Sequence, residues 1–179
     1  MGRKYHTRNL LPALRLFIEA RNKALESGFT DNGGAIHSVE RILDILSIHV
    51  RYPHLTHINS LKGDPGAEIS VQAHEARVRG EPLRIEHVLP QRAYARRVIG
   101  LVKEGASDDD ILHFIKKNYR LVLLTEDETK RLNRLNRSNI TDDRIADAGI
   151  VLYIPSNGSK HRSVKCESRN PPCPEHSPC

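Results

Sequence analysis

The first third of the chain carries two stripes of apolar residues at helical spacing. The first stripe covers residues 9–27 and ends at Gly28, and the second begins near Ser38 and ends before Pro53. Apolar residues three and four positions apart share one face of a helix, and a proline just beyond a helix stops it. The pattern predicts a helical hairpin, whose usual role is packing or a dimer surface, with direct recognition of a target as the alternative.

Two short runs rich in apolar and β-branched residues follow, at residues 83–90 and 119–125. Runs of this length and composition predict strands. The segments 92–103 and 107–117 lie between them and have helical spacing, and the charged segment 126–137 continues from the second strand as a predicted helix. The expected order is therefore strand, strand, helix, with two helices inserted between the strands.

The remaining segments complete an α+β fold. A helix is expected within residues 67–78, and the apolar β-formers of residues 145–154 indicate a last strand or a buried segment that closes the domain. The chain beyond is basic, contains Ser, Pro and Cys, and has almost no apolar content, which is typical of a flexible tail. We expect a helical N-terminal region at 1–66, an α+β module at 67–154 and a disordered tail at 155–179.

Charge favours a polyanionic partner. The chain has 28 Lys and Arg against 22 Asp and Glu, a formal net charge of +6 and a pI near 9.4. Between Arg77 and Lys103 there are seven basic residues against two acidic ones. Such a cluster draws a phosphate backbone, although a solvated basic helix face gives the same pattern. No apolar run approaches the roughly 20 residues that cross a bilayer, so a soluble, cytoplasmic protein without a membrane partner is expected.

The pair Glu86 and His87 carries the candidate chemistry. A carboxylate is a hard ligand for a divalent metal, and imidazole titrates near neutral pH, so it can take a proton from water. Neighbouring strand residues point to opposite faces, and the two side chains reach one edge only if the strand bends, for which Pro90 supplies a reason. The alternative is an ordinary surface pair beside a half-buried strand.

Residues 86–91 read Glu-His-Val-Leu-Pro-Gln, which resembles the Asp/Glu-His-hydrophobic-hydrophobic-Pro opening of the HNH, or ββα-metal, endonucleases. The resemblance extends over residues 84–137, so the module at 67–154 is expected to be a ββα-metal-like nuclease module. It implies metal-dependent hydrolysis of DNA phosphodiester bonds, with His87 as the general base and Glu86 as a metal ligand. It also implies that Asn118, just before the second strand, fixes the loop that orients the histidine.

The third motif residue departs from the family, which places an Asn or His ligand early in the helix, where this chain has Thr129 and Lys130. Three residues nearby carry suitable oxygens: Asp127, Glu128 and Asn133. Glu128 is favoured because a carboxylate suits Mg²⁺, or Mn²⁺, at least as well as an amide does. Glu128 also stands three residues after Thr125, which is the spacing of a capping box, and both roles could not be fully served at once.

The predicted partner is nucleic acid, with DNA favoured over RNA, and a homodimer is plausible. Phosphate contacts are expected from Arg84, Arg92, Arg96, Arg97, Lys130, Arg131 and Arg134. Two alternatives stay open. One is a catalytically inactive nucleic-acid-binding or regulatory protein, and the other is an RNase, such as a toxin.

All three cysteines lie in the last fourteen residues. Together with one histidine they give four possible zinc ligands: Cys166, Cys173, His176 and Cys179. Their spacing is not that of a standard zinc finger or knuckle. A flexible tail with incidental thiols is the favoured interpretation, with zinc as the alternative.

Overall fold

The computed structural model describes residues 7–135 and 143–154. The helices are α1 (Thr7–Glu26), α2 (His37–Arg51), α3 (Val71–Val78), α4 (Gln91–Lys103), α5 (Asp108–Asn118), α6 (Glu126–Leu135) and α7 (Arg144–Asp147), with a 3₁₀ helix at Ile58–Gly63. The strands are β1 (Glu68–Ile69), β2 (Arg84–His87) and β3 (Leu121–Leu124). The α+β class predicted from the sequence is confirmed.

The predicted helical hairpin is present, and α1 packs against α2. Leu14 and Ile18 from α1 are buried together with Leu43 and Leu46 from α2. The chain leaves α1 through Gly28, whose φ of +86° lies in the left-handed region that favours glycine. The apolar stripes therefore form one side of the core, as their spacing predicts.

The three strands form one mixed sheet in the order β1, β3, β2. Strand β3 runs parallel to β1 and antiparallel to β2, and all four of its residues are buried. Leu121 and Leu123 belong to the core that also contains buried residues of α1, α2, α4 and α5, which we call the helical layer. Val122 and Leu124 pack with α6 and α7 on the other face. A central strand covered on both faces has an almost wholly apolar sequence, which β3 has.

One hydrophobic core joins the N-terminal helices to the rest of the fold. Leu14 and Leu43, which precede residue 66, pack in the same cluster as Ile99, Ile115 and Leu121, which follow it. The helical N-terminal region and the α+β module therefore share a core.

The helix expected within residues 67–78 begins later than predicted. Glu68 and Ile69 form β1, and α3 starts at Val71 after Ser70, whose hydroxyl accepts a hydrogen bond from the Ala73 N–H at 2.9 Å. A strand of two residues is too short to show an alternating pattern in the sequence. Its pairing with β3 depends on the rest of the fold.

Residues 145–154, predicted as a last strand or a buried segment, do not form a strand and are buried only in part, since Val151 is 69% and Ile154 83% exposed. The chain forms α7 and then makes one isolated bridge between Ser70 and Leu152. Ile145 and Ile150 are each 4% exposed and pack beneath β3. Within the described residues, no helix is long and apolar enough to cross a membrane.

Candidate functional site

Strand β2 separates the two residues of the Glu-His motif. In its antiparallel pairing with β3, Glu86 is opposite Val122 and His87 is opposite Leu121. Side chains alternate between the faces of a strand, so His87 points to the helical layer and Glu86 to the face covered by α6 and α7. The bend predicted from Pro90 does not bring the two side chains to one edge.

His87 is held by an aspartate that lies 43 residues earlier in the chain. Asp44 in α2 is only 8% exposed, and its Oδ1 atom lies 3.1 Å from His87 Nε2. The Tyr119 hydroxyl donates to the same oxygen at 2.6 Å. Asp44, His87 and Tyr119 therefore form a compact cluster between α2, β2 and the start of β3.

The charge of the Asp44 carboxylate determines which ring nitrogen of His87 carries the hydrogen. Burial alone would raise the pKa of Asp44, but the hydrogen bonds from His87 and Tyr119 outweigh it and lower the pKa of this carboxyl. An ionised carboxylate only accepts hydrogen bonds, so His87 donates through Nε2. In the neutral ring, Nδ1 then carries the lone pair and can accept a proton.

Tyr119 remains a donor because burial and the neighbouring charge of Asp44 strongly raise the pKa of its phenol. Its oxygen lies 3.4 Å from His87 Nε2, and both groups donate to the same Asp44 oxygen. Tyr94 packs on Tyr119 with ring centroids 5.6 Å apart, and its hydroxyl is 3.0 Å from the Ser47 hydroxyl. The carboxylate is thus oriented by a packed aromatic layer.

The cluster is reachable from solvent on one side. The His87 side chain is 24% exposed. A cavity of about 150 Å³ opens beside Asp44 between α2 and the 3₁₀ helix, and Arg41 and His57 are among its lining residues. The Arg41 guanidinium lies 3.9 Å from Asp44 Oδ2, and its side chain is 75% exposed. Arg41 is therefore a cation available to an anion that approaches this side of the sheet.

Asn118 does not take the predicted role of orienting the histidine loop. It ends α5, and its side-chain amide donates to the Phe114 carbonyl at 2.8 Å. The chain around His87 is fixed by other bonds: the Val88 N–H donates to the Arg120 carbonyl at 3.1 Å, and the backbone carbonyl of His87 accepts from Arg144 at 2.9 Å.

Glu128 serves the helix cap. It is 1% exposed, and its Oε2 atom accepts from the Thr125 N–H at 2.9 Å and from the Ser70 hydroxyl at 2.7 Å. The Glu128 N–H in turn donates to Thr125 Oγ1 at 3.3 Å. The capping box predicted as the alternative for Glu128 is confirmed, and the same carboxylate also ties α6 to the start of α3.

The other predicted metal ligands do not converge either. The Asp127 side chain is 90% exposed and lies 3.7 Å from Lys130 Nζ. Asn133 Oδ1 accepts from Arg144 at 3.2 Å. Within residues 7–135 and 143–154, no group of three or more His, Cys, Asp or Glu residues could hold a metal ion. Glu128 and Asn133 therefore accept hydrogen bonds from other groups of the protein, and Asp127 is exposed.

The basic residues predicted to contact phosphate fall into two sets. Four have carboxylate partners: Arg84 with Glu126 at 3.6 Å, Arg92 with Glu40 at 3.1 Å, Arg96 with Asp31 at 3.5 Å and Lys130 with Glu126 at 3.1 Å. Arg92 also donates a hydrogen bond to Asn32 Oδ1 at 3.1 Å, so it connects α4 to the segment before α2. Three are exposed and have no carboxylate partner in the part of the chain that the structure describes: Arg97, Arg131 and Arg134.

Comparisons with protein-family models, curated proteins and solved structures find no match to this chain. The possible zinc ligands of the tail, Cys166, Cys173, His176 and Cys179, lie outside the described residues.

Sequence reasoning missed Asp44, Tyr119 and Arg41. Asp44 carried one signal, because it is a charged residue between Leu43 and Ile45 on the apolar stripe of α2. A buried carboxylate needs hydrogen-bond donors, so its position predicts a polar partner across the core. Tyr119 and Arg41 had no comparable signal.

Proposed function

We propose that this protein hydrolyses phosphodiester bonds of nucleic acid and that His87 is the general base. The observation that carries the proposal is the buried, ionised Asp44, which accepts from Nε2 and leaves Nδ1 of a partly exposed imidazole as the proton acceptor. The same arrangement stabilises the imidazolium that forms when the ring takes a proton. The chain order of β2, β3 and α6, with α4 and α5 between the two strands, is the order expected from the resemblance to HNH endonucleases.

In the proposed step, Nδ1 of His87 takes one proton from a water molecule while the water oxygen bonds to phosphorus. The bond from phosphorus to the leaving sugar oxygen breaks, and that oxygen keeps both electrons and takes a proton from solvent. The imidazolium then returns its proton to solvent, which restores the base. Arg41 lines the cavity 3.9 Å from Asp44 Oδ2 and is the cation that would meet the phosphate charge.

DNA is the favoured substrate, and the protein is expected to meet it in the cytoplasm. The net charge of +6 supports binding to a polyanion of either kind. The exposed side chains of Arg97, Arg131 and Arg134 are available to phosphates, because none is engaged by a carboxylate among the described residues.

The second candidate is a nucleic-acid-binding protein that does not cut. The observation that favours it is that the carboxylates and the amide predicted to hold a metal are otherwise engaged or exposed. This candidate predicts salt-dependent binding without any cleavage.

The test is cleavage of supercoiled plasmid and of single-stranded RNA by wild type, His87→Ala and His113→Ala. His113 is an exposed histidine on α5 and serves as the matched control. We expect His87→Ala to lose about 10²- to 10⁴-fold in rate, the usual contribution of a general base, and His113→Ala to keep the wild-type rate.

Retained cleavage in His87→Ala would reject His87 as the base. Binding by wild type without cleavage of either substrate would favour the second candidate. The substrate that is cut separates a DNase from an RNase.

A further inference from the structure

Two cavities lie next to each other along one face of α2. The first has a volume of about 280 Å³, and Phe17 of α1 and Ile42 of α2 are among its lining residues. The second is the cavity of about 150 Å³ beside Asp44. Arg41 and Ile45 line both cavities. The two cavities therefore form one continuous groove, which we call the α2 groove.

The groove follows the axis of the helix. Its lining residues in α2 recur every three or four positions and include Ser38, Arg41, Ile42, Ile45, Ile48 and His49. Residues at this spacing share one face of a helix. The helix rises by about 1.5 Å per residue, so the groove extends for about 16 Å from residue 38 to residue 49. This length suits an extended ligand.

The groove combines apolar and aromatic side chains with an exposed cation. Ile42, Ile45 and Ile48 are only partly buried, and Phe17 is 37% exposed. The side chain of Arg41, where the two cavities meet, is 75% exposed. The bases of an unpaired strand stack on aromatic side chains while its phosphates bind cations. A duplex keeps the faces of its bases stacked inside and presents base edges and phosphates instead.

The polar groups of the groove fit a polyanion. Its lining residues in the described part of the chain include one carboxylate, Asp44, which is 8% exposed and already bound by His87 and Tyr119. His57 also lines the groove, and its Nδ1 accepts from the Asn59 N–H at 3.1 Å. In the neutral ring of His57, Nε2 therefore carries the hydrogen and is a donor for a base or a phosphate.

We propose that the α2 groove binds a single strand of DNA, which thereby passes the Asp44–His87 pair. Each cavity is smaller than roughly 300 Å³, the lower limit for drug-sized ligands, so each suits one base. The isoleucines favour thymine, because its methyl group makes apolar contacts that uracil lacks. The cutting of the bound strand rests on the proposed function. Binding of the strand stands on the lining residues alone.

The test is fluorescence anisotropy with labelled oligothymidine, oligouridine RNA and duplex DNA of equal length, with the intact probe confirmed on a gel after each titration. Wild type is expected to bind oligothymidine at least about fivefold more tightly than either other probe. Phe17→Ala should weaken this binding at least about fivefold, because it removes a stacking contact. Phe29→Ala is the matched control and should bind as wild type does, because Phe29 is 60% exposed and lines neither cavity.

Salt dependence tests the cation of the groove. Arg41→Gln should make the slope of log binding constant against log salt concentration shallower by about 0.7, the contribution of one phosphate contact on a single strand. Arg51→Gln is the matched control and should keep the wild-type slope. Arg51 is an exposed arginine at the end of the same helix and lines neither cavity.

Equal binding of oligothymidine and duplex by wild type would overturn the proposal, and that comparison needs no variant. So would tighter binding of oligouridine, equal losses in Phe17→Ala and Phe29→Ala, or a salt slope that Arg41→Gln leaves unchanged. A wild-type dimer that Phe17→Ala dissociates would assign the groove to a second copy of the chain and overturn the proposal too.

Cleavage separates this inference from the proposed function. A protein that binds oligothymidine through Phe17 and cuts no substrate would overturn the nuclease function and keep the α2 groove as a single-strand site. A protein that cuts DNA and binds single strands no better than duplex would overturn the role of the groove and leave the nuclease function standing.

Discussion

At the scale of single residues, the site depends on two long-range hydrogen bonds to Asp44, one from His87 and one from Tyr119. His87 could be singled out from the sequence because it stands beside Glu86 at the end of an apolar run. Its pairing with Asp44 could not be predicted, because no local pattern links two residues 43 positions apart. The separation of Glu86 from His87 follows from strand alternation alone and was predictable without the bend assigned to Pro90.

The hydrogen bonds of Asp44 predict a pH-dependent stability. Its pKa in the folded protein is lowered from 3.8, so its contribution is present above that value and is lost as pH falls through the lower folded pKa. Asp44→Asn should lower the free energy of unfolding by on the order of 1–3 kcal/mol at neutral pH. The difference in the free energy of unfolding between wild type and Asp44→Asn should become smaller in acid.

Thermal unfolding from about pH 7 down to about pH 2 measures this gap. Asp109→Asn is the matched control, because Asp109 is an exposed aspartate in the first turn of α5. A gap between wild type and Asp44→Asn that stays constant over the whole pH range would contradict the assignment.

At the scale of elements, the apolar stripes of α1 and α2 and the start of α6 were predicted well because their causes are local. The capping box of Thr125 and Glu128 is set by residues three positions apart, and the structure has it. The role of Ser70 in the same cap was beyond sequence reasoning, since Ser70 lies 58 residues from Glu128. Strand β1 and helix α7 were missed because each is short and depends on packing against β3.

Asp127 and Glu128, two of the three acidic residues in the first turn of α6, are predicted to contribute differently to stability. Glu128→Ala should lower the free energy of unfolding by about 1–3 kcal/mol, because it removes a helix cap and leaves the Ser70 hydroxyl buried without its acceptor. Asp127→Ala should change it by less than about 0.5 kcal/mol, because that side chain is 90% exposed. Denaturant unfolding of both variants gives the comparison. Equal effects would mean that the buried cap does not stabilise α6.

At the scale of the whole molecule, the helical hairpin is part of the site. Helix α2 supplies Asp44 to His87, and its Leu43 and Leu46 are buried in the same core cluster as Leu121 and Leu123 of the central strand. The division at residue 66 expected from the sequence rested on a change of element type. Sequence patterns show which face of an element is apolar and leave open which element covers it, so the shared core was not predictable.

A fragment of residues 67–154 is therefore predicted not to fold on its own. Without α1 and α2, the core cluster that contains Leu121 and Leu123 loses the buried side chains of both helices, and His87 loses Asp44. Far-ultraviolet circular dichroism during thermal unfolding should show no cooperative transition. The control fragment 1–154 keeps every described element and should unfold in one step. A cooperative transition in the shorter fragment would show that residues 67–154 fold without α1 and α2.

The most direct test of the account is a double-mutant cycle on cleavage. The rates of wild type, Asp44→Asn, His87→Ala and the double variant are measured on the substrate that wild type cuts. Asp44→Asn is expected to slow cleavage about a hundredfold, and the double variant should be as slow as His87→Ala, because Asp44 acts only through the histidine. Wild-type activity in Asp44→Asn, or losses that multiply in the double variant, would contradict the claim that Asp44 positions His87 as the base.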